Sequence, residues 1–109
     1  MNEVQQLIAK LESEFADRNV FVAQTLLLKP KDAVDFIDAA RYLGLVLAGV
    51  EGFFITPEGA RQPRQELSND SAGCQLSEEE FLESTKQLIL GEGKGKNAVF
   101  EVLFEGTAT

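Results

Sequence analysis

Leu45-Val-Leu-Ala-Gly-Val-Glu-Gly-Phe-Phe-Ile-Thr56, followed by Pro57-Glu58-Gly59, is the stretch whose reading decides the fold. The run is rich in β-formers and almost wholly apolar, so it reads as a strand. Gly49 and Gly52 flank Val50-Glu51, which predicts a bulge or a bend within it. Thr56-Pro57-Glu58-Gly59 has the chemistry of a type I turn, with proline second and glycine fourth. A short return strand, Ala60 to Pro63, would complete a hairpin.

Upstream of this hairpin, Pro30 is well placed as the first residue of a helix, where its missing N–H costs nothing. Ala33, Val34, Phe36, Ile37, Ala40 and Leu43 form that helix's inward side, and Gly44 supplies a left-handed stop. Before it, residues 20–28 are nearly all apolar and read as a strand covered on both faces. Earlier still, Val4, Leu7, Ile8, Leu11 and Phe15 repeat at helical spacing, so residues 2–16 are a helix with one buried stripe.

Downstream, residues 64–76 are polar and read as a loop centred on Ser68 to Gly73. Ser77 and Glu80 then form a capping box that opens a third helix, with Phe81, Leu82, Thr85, Leu88 and Ile89 inward. Gly91-Glu92-Gly93-Lys94-Gly95-Lys96 reads as a flexible connector. A last strand, Ala98 to Glu105, carries Ala98, Phe100, Val102 and Phe104 on one face. The order α-β-α-β-β-α-β predicts one α+β domain over residues 1–109, with no internal repeat. Its expected architecture is a mixed sheet of about four strands with three helices mainly on one face. The second and third helices are expected to cross over between parallel strands.

The composition limits the chemistry. The chain has no histidine, one cysteine (Cys74), and 18 acidic against 10 basic residues, a net charge of −8. Histidine and cysteine carry out most proton transfer, nucleophilic attack and transition-metal binding near neutral pH. An enzyme is therefore not expected, nor a cofactor or metal. The negative charge repels phosphate backbones and anionic bilayers, so neither nucleic acid nor membrane is an expected partner. A basic protein is the partner it favours. The first residues lack the basic and apolar regions of a secretory signal, and no apolar run approaches membrane-spanning length. A lone cysteine fits a reducing compartment, so the expected location is cytoplasmic.

Five features remain to be weighed. Asp32, Asp35 and Asp38 lie along one polar helix side and read as a solvated face, with Asp38 placed to pair with Arg41 at i+3. Glu78, Glu79, Glu80 and Glu83 crowd a helix start, where the helix dipole favours negative charge. The same carboxylates would also suit a lysine- or arginine-rich partner. The glycine- and lysine-rich connector superficially resembles a phosphate loop, but it follows a helix and lacks the Ser or Thr after lysine. Cys74 has no histidine to activate its thiol, and the nearby start of the third helix would lower its pKa only a little. The hairpin itself is more shaped than a core strand requires: Glu51 lies between two glycines, then come Phe53 and Phe54, then the proline turn at Glu58. Glu51, Phe53 and Glu58, with Glu78, Glu79 and Glu83, are the candidate partner-binding residues. Phe53 either anchors a partner or fills the core.

Gly49, Glu51, Gly52, Phe53, Pro57, Glu58 and Gly59, after a helix ending in Gly44, resemble the hairpin motif of small immunity proteins from bacterial polymorphic-toxin and contact-dependent inhibition systems. The likeness spans about residues 30–64, with Phe53 where that family has tryptophan. It implies a small cytoplasmic, non-catalytic protein that binds a cognate toxin and blocks it. The alternative expectation is a structural or regulatory subunit, for example a homodimer pairing through the edge of its last strand. An enzyme built on Asp35 or Asp38 comes third.

Overall fold

A computed structural model describes residues 3–19, 26–72, 75–92 and 98–105. Helix α1 spans Glu3–Glu14 and is followed by a short 3₁₀ turn, Ala16–Arg18. Helix α2 spans Pro30–Tyr42, strand β1 Leu47–Ile55, strand β2 Arg61–Asp70, helix α3 Glu78–Glu92 and strand β3 Ala98–Phe104. The fold is α+β, and its three strands lie in the order β2-β1-β3.

The expectation of a mixed, four-stranded sheet needs correction. Both strand pairings are antiparallel. Most of the strand expected over 20–28 lies outside the described residues. Its end, Leu28, makes an isolated antiparallel bridge to Phe100, with reciprocal N–H···O bonds of 3.0 and 2.8 Å. Among the described residues the element order is therefore α-α-β-β-α-β. The crossover idea survives in altered form for the third helix; for the second, most of the strand before it lies outside the described residues. Strands β2 and β3 both run against β1, so they point the same way with β1 between them, and α3 carries the chain from one to the other.

One hydrophobic core joins the helices to one face of the sheet. Leu11 and Phe15 from the N-terminal region, Ala33, Phe36, Ile37 and Ala40 from α2, and Phe81, Leu82 and Ile89 from α3 bury against Val50, Ala98, Phe100 and Phe104. The rings of Phe15 and Phe36 meet edge-on at 5.1 Å, a favoured aromatic geometry. Leu43, expected inside, is 37% exposed because α2 has already ended at Tyr42. A smaller cluster, Leu27, Phe53 and Val99 with Ile55 against it, forms on the opposite face of the sheet.

The hairpin turn forms as its sequence predicts. The Gly59 N–H donates to the Thr56 carbonyl at 2.8 Å, and the Thr56 N–H donates to Ala60 at 2.8 Å. The return strand, however, is far longer than Ala60 to Pro63. It runs to Asp70 through residues read from sequence as a loop. Pairing is regular from Ile55/Arg61 to Gly52/Arg64, then resumes at Val50/Asn69, so β2 bulges outward between those positions. Leu67 is fully buried and pins the bulge to the core. It lies directly over Gly52, where any Cβ would collide with the Leu67 Cβ; at Gly49 a Cβ would collide with the Asn69 carbonyl. The two glycines thus permit close approach of the chain's own β2.

Candidate functional site

Side chains close the bulge where the backbone ladder lapses. The Ser68 hydroxyl accepts the Gly52 N–H at 3.0 Å and donates to the Arg64 carbonyl at 2.8 Å. Asn69 Oδ1 accepts the Val50 N–H at 3.2 Å, while Asn69 Nδ2 donates to Thr85 Oγ1 at 3.0 Å. Thr85, fully buried on α3, donates its own hydroxyl hydrogen bond to the Phe81 carbonyl at 2.7 Å. A buried hydroxyl without partners would cost about 1–3 kcal/mol, so this chain of bonds is what permits a polar link between α3 and the sheet.

The candidate residues fall into two groups that the fold does not bring together. Glu78 and Glu79 line a cleft with Arg41, Leu45, Val46, Leu47 and Leu82, beside the start of β1. Glu58 is exposed on the turn past the other end of β1. Eight steps of about 3.3 Å separate Leu47 from Ile55, roughly 26 Å.

At the start of α3 the carboxylates are served by their own fold. The Glu80 N–H donates to Ser77 Oγ at 3.2 Å, and the Ser77 N–H donates to Glu80 Oε1 at 3.1 Å, as the capping box requires. These bonds, the backbone one first, hold the Glu80 carboxyl below its usual range. Arg41 forks onto both oxygens of Glu79, one contact being 2.6 Å. Lys86 lies 3.9 Å from Glu83 and pairs closely with Asp38. The Asp38–Arg41 pair expected from helical spacing therefore does not form; each residue finds a partner on α3. Asp32 and Asp35 both meet Arg18, at 3.3 Å each. Among the described residues, no group of three acidic or thiol side chains is placed to hold a metal. Cys74 and residues 93–96 of the expected connector lie outside the described residues, while its first two, Gly91 and Glu92, belong to the end of α3.

The open face of the sheet is different. Phe53 is 5% exposed, in the small apolar cluster, with the Arg61 guanidinium 5.3 Å above its ring. Phe54 points the other way, half-buried against the main core. The phenylalanine pair thus fills both sides of the sheet, and Phe53 presents almost no surface. Glu51 is exposed two residues earlier on the same face, directly opposite Glu101 of β3. Glu101 was not among the sequence candidates, because only strand register reveals its neighbour. Its carboxyl is raised above the usual range by burial first, then by the Glu51 charge; Arg61 opposes the shift and Glu12 adds to it. Among the described residues neither Glu51 nor Glu101 has a salt bridge.

Open depressions flank this pair. One of about 520 Å³ lies between Glu51, Phe53, Pro63, Arg64 and Gln65. Another, of about 320 Å³, is lined by Glu51, Gln65, Asn69 and Leu103. Both are shallow, and they are shaped by the β2 bulge.

The fold and this face define a small α+β domain with an acidic sheet surface on the side away from the main core. No family model, curated protein or solved structure matches the chain. No helix among the described residues is long and apolar enough to cross a membrane.

Proposed function

We propose that the protein is a non-catalytic protein-binding module that neutralises a basic partner by covering it, in the manner of an immunity protein with its toxin. The observation that carries this reading is the internal pairing of four of the ten cations. Arg18, Arg41, Arg64 and Lys86 are each engaged by carboxylates of the same chain. Those pairs leave the net charge of −8 uncompensated, and such a surplus would steer a basic partner and speed encounter. The absence of histidine from the sequence and the shallow, open depressions fit contact better than bond-breaking. A cytoplasmic setting goes with this reading.

Assembly through a sheet edge, the alternative, has less support. The β2 edge carries Pro63, which lacks a donor, and a bulge; both are common guards against strand addition. Part of the β3 edge is taken up by Leu28.

Calorimetric titration against the product of the neighbouring open reading frame tests the reading. Binding at micromolar concentration or tighter, weakened by salt, is the expected result. If neither that product nor any basic domain binds at micromolar levels, the reading falls.

A further inference from the structure

We propose that the open face of the sheet, where Glu51 and Glu101 stand opposite each other, is the docking surface, and that the partner meets it with an arginine-bearing segment. The proposal rests on the basic-partner reading above and names its surface and chemistry. Helices α1, α2 and α3 bury their apolar sides in the main core on the other face, and of α1 only the Glu12 charge reaches Glu101. Toward the hairpin the open face is already filled by Leu27, Phe53 and Val99 under Arg61. In its middle it is not. Glu51 and Leu103 are exposed, Glu101 is half-buried, and the bulge residues Gln65 and Ser68 raise a shelf beside them.

Like charges directly opposite across two strands destabilise a sheet. Among the described residues neither carboxylate has a salt bridge, and Arg61, which partly offsets the charge around Glu101, is stacked on Phe53. A cation from outside would relieve the repulsion. A second copy of the chain is a poor occupant, since face-to-face packing would bring four carboxylates together. A guanidinium suits the site best, because its planar fork can bond two carboxylates at once, whereas an ammonium acts as a point charge. The exposed Leu103 beside the pair adds an apolar contact for the flank of the arriving segment.

Amide shifts of the ¹⁵N-labelled full chain, titrated with a short peptide alternating arginine and valine, test this. Its lysine and serine counterparts serve as comparisons. Shifts should concentrate at Glu51, Gln65, Ser68, Glu101 and Leu103, with arginine binding more tightly than lysine and serine not at all. Glu51→Gln and Glu101→Gln should each weaken binding by at least about tenfold, the scale of a charge-assisted hydrogen bond. Thermal unfolding of both variants verifies that they fold. If a triple Glu78→Gln, Glu79→Gln, Glu83→Gln variant loses binding while the sheet variants keep it, the docking surface is wrong and the basic-partner reading stands. Equal binding of the serine peptide overturns the charge argument. No shift with any peptide removes both.

Discussion

Two acidic regions, alike in charge, differ in what surrounds them. At the start of α3 the carboxylates meet a capping serine, a helix dipole, Arg41 and Lys86. On the sheet, Glu51 and Glu101 meet each other. The first arrangement is explained by the stability of the chain itself. The second sets like charges opposite each other, an arrangement that disfavours the isolated sheet and that the proposed arginine-bearing partner would relieve. A cluster of charge is therefore less informative than whether its own fold neutralises it.

The largest effect should come from breaking the scaffold of the sheet region. Leu67→Ala removes the side chain that pins the β2 bulge over Gly52, and should cost about 2–5 kcal/mol by urea unfolding. Amide exchange should quicken first along β1 and β2, with the first turn of α3 less affected. Uniform loosening would show that the two regions are not separable.

On the other side of the comparison, Ser77→Ala removes the N-cap of α3 and should cost about 1 kcal/mol, measured the same way. Exchange should quicken in the first turn of α3 while the sheet amides keep their protection.

The sign of the third effect is opposite. Replacing either member of the opposed pair, by Glu51→Gln or Glu101→Gln, should stabilise the isolated protein by about 0.2–1 kcal/mol. The gain should shrink at high salt. Glu79→Gln, which breaks a pair with Arg41, should change stability slightly and only for the worse. Destabilisation by Glu51→Gln would show that the pair is held by something within the chain.

The smallest effect is in pH. Glu80 titrates below its usual value when folded, so its contribution is present above the unfolded value and lost as pH falls through the folded one. Glu101 titrates above its usual value, so it penalises the fold at higher pH and the penalty lifts as pH falls through the folded value toward the unfolded one. The two regions therefore give opposite slopes in the mildly acidic range. Side-chain carbon shifts of the two carboxyls against pH would separate them, and a common midpoint would erase the distinction.

Much of the fold was legible in local chemistry. Pro30 and Gly44 bracket α2, Ser77 and Glu80 open α3, and Thr56 to Gly59 make the turn, because each acts on its own neighbours. The extent of β2 was not legible. Gln65 to Asp70 look like a loop because they are polar, yet an edge strand needs only one anchored side chain, Leu67, and partners for its backbone. Ser68 and Asn69 supply those partners with their side chains. Leu67, a single apolar residue in that polar stretch, was the one available signal. Of the candidate site, Glu51 was visible between its glycines. Phe53 was marked for the same reason, but its burial depends on Leu27 and Val99, which are distant in sequence.

The amino-acid sequence alone determined the hairpin turn, the limits of α2 and α3, the alternation of β3 and the acidic surplus, since these follow from residues within a few positions of one another or from a simple count. Only the tertiary structure decided the antiparallel register, and with it the meeting of Glu51 with Glu101, the bulge over Gly52 and the transfer of Arg41 from Asp38 to Glu79. Those outcomes depend on which strand or helix lies alongside, and side-chain packing across the whole core sets that choice.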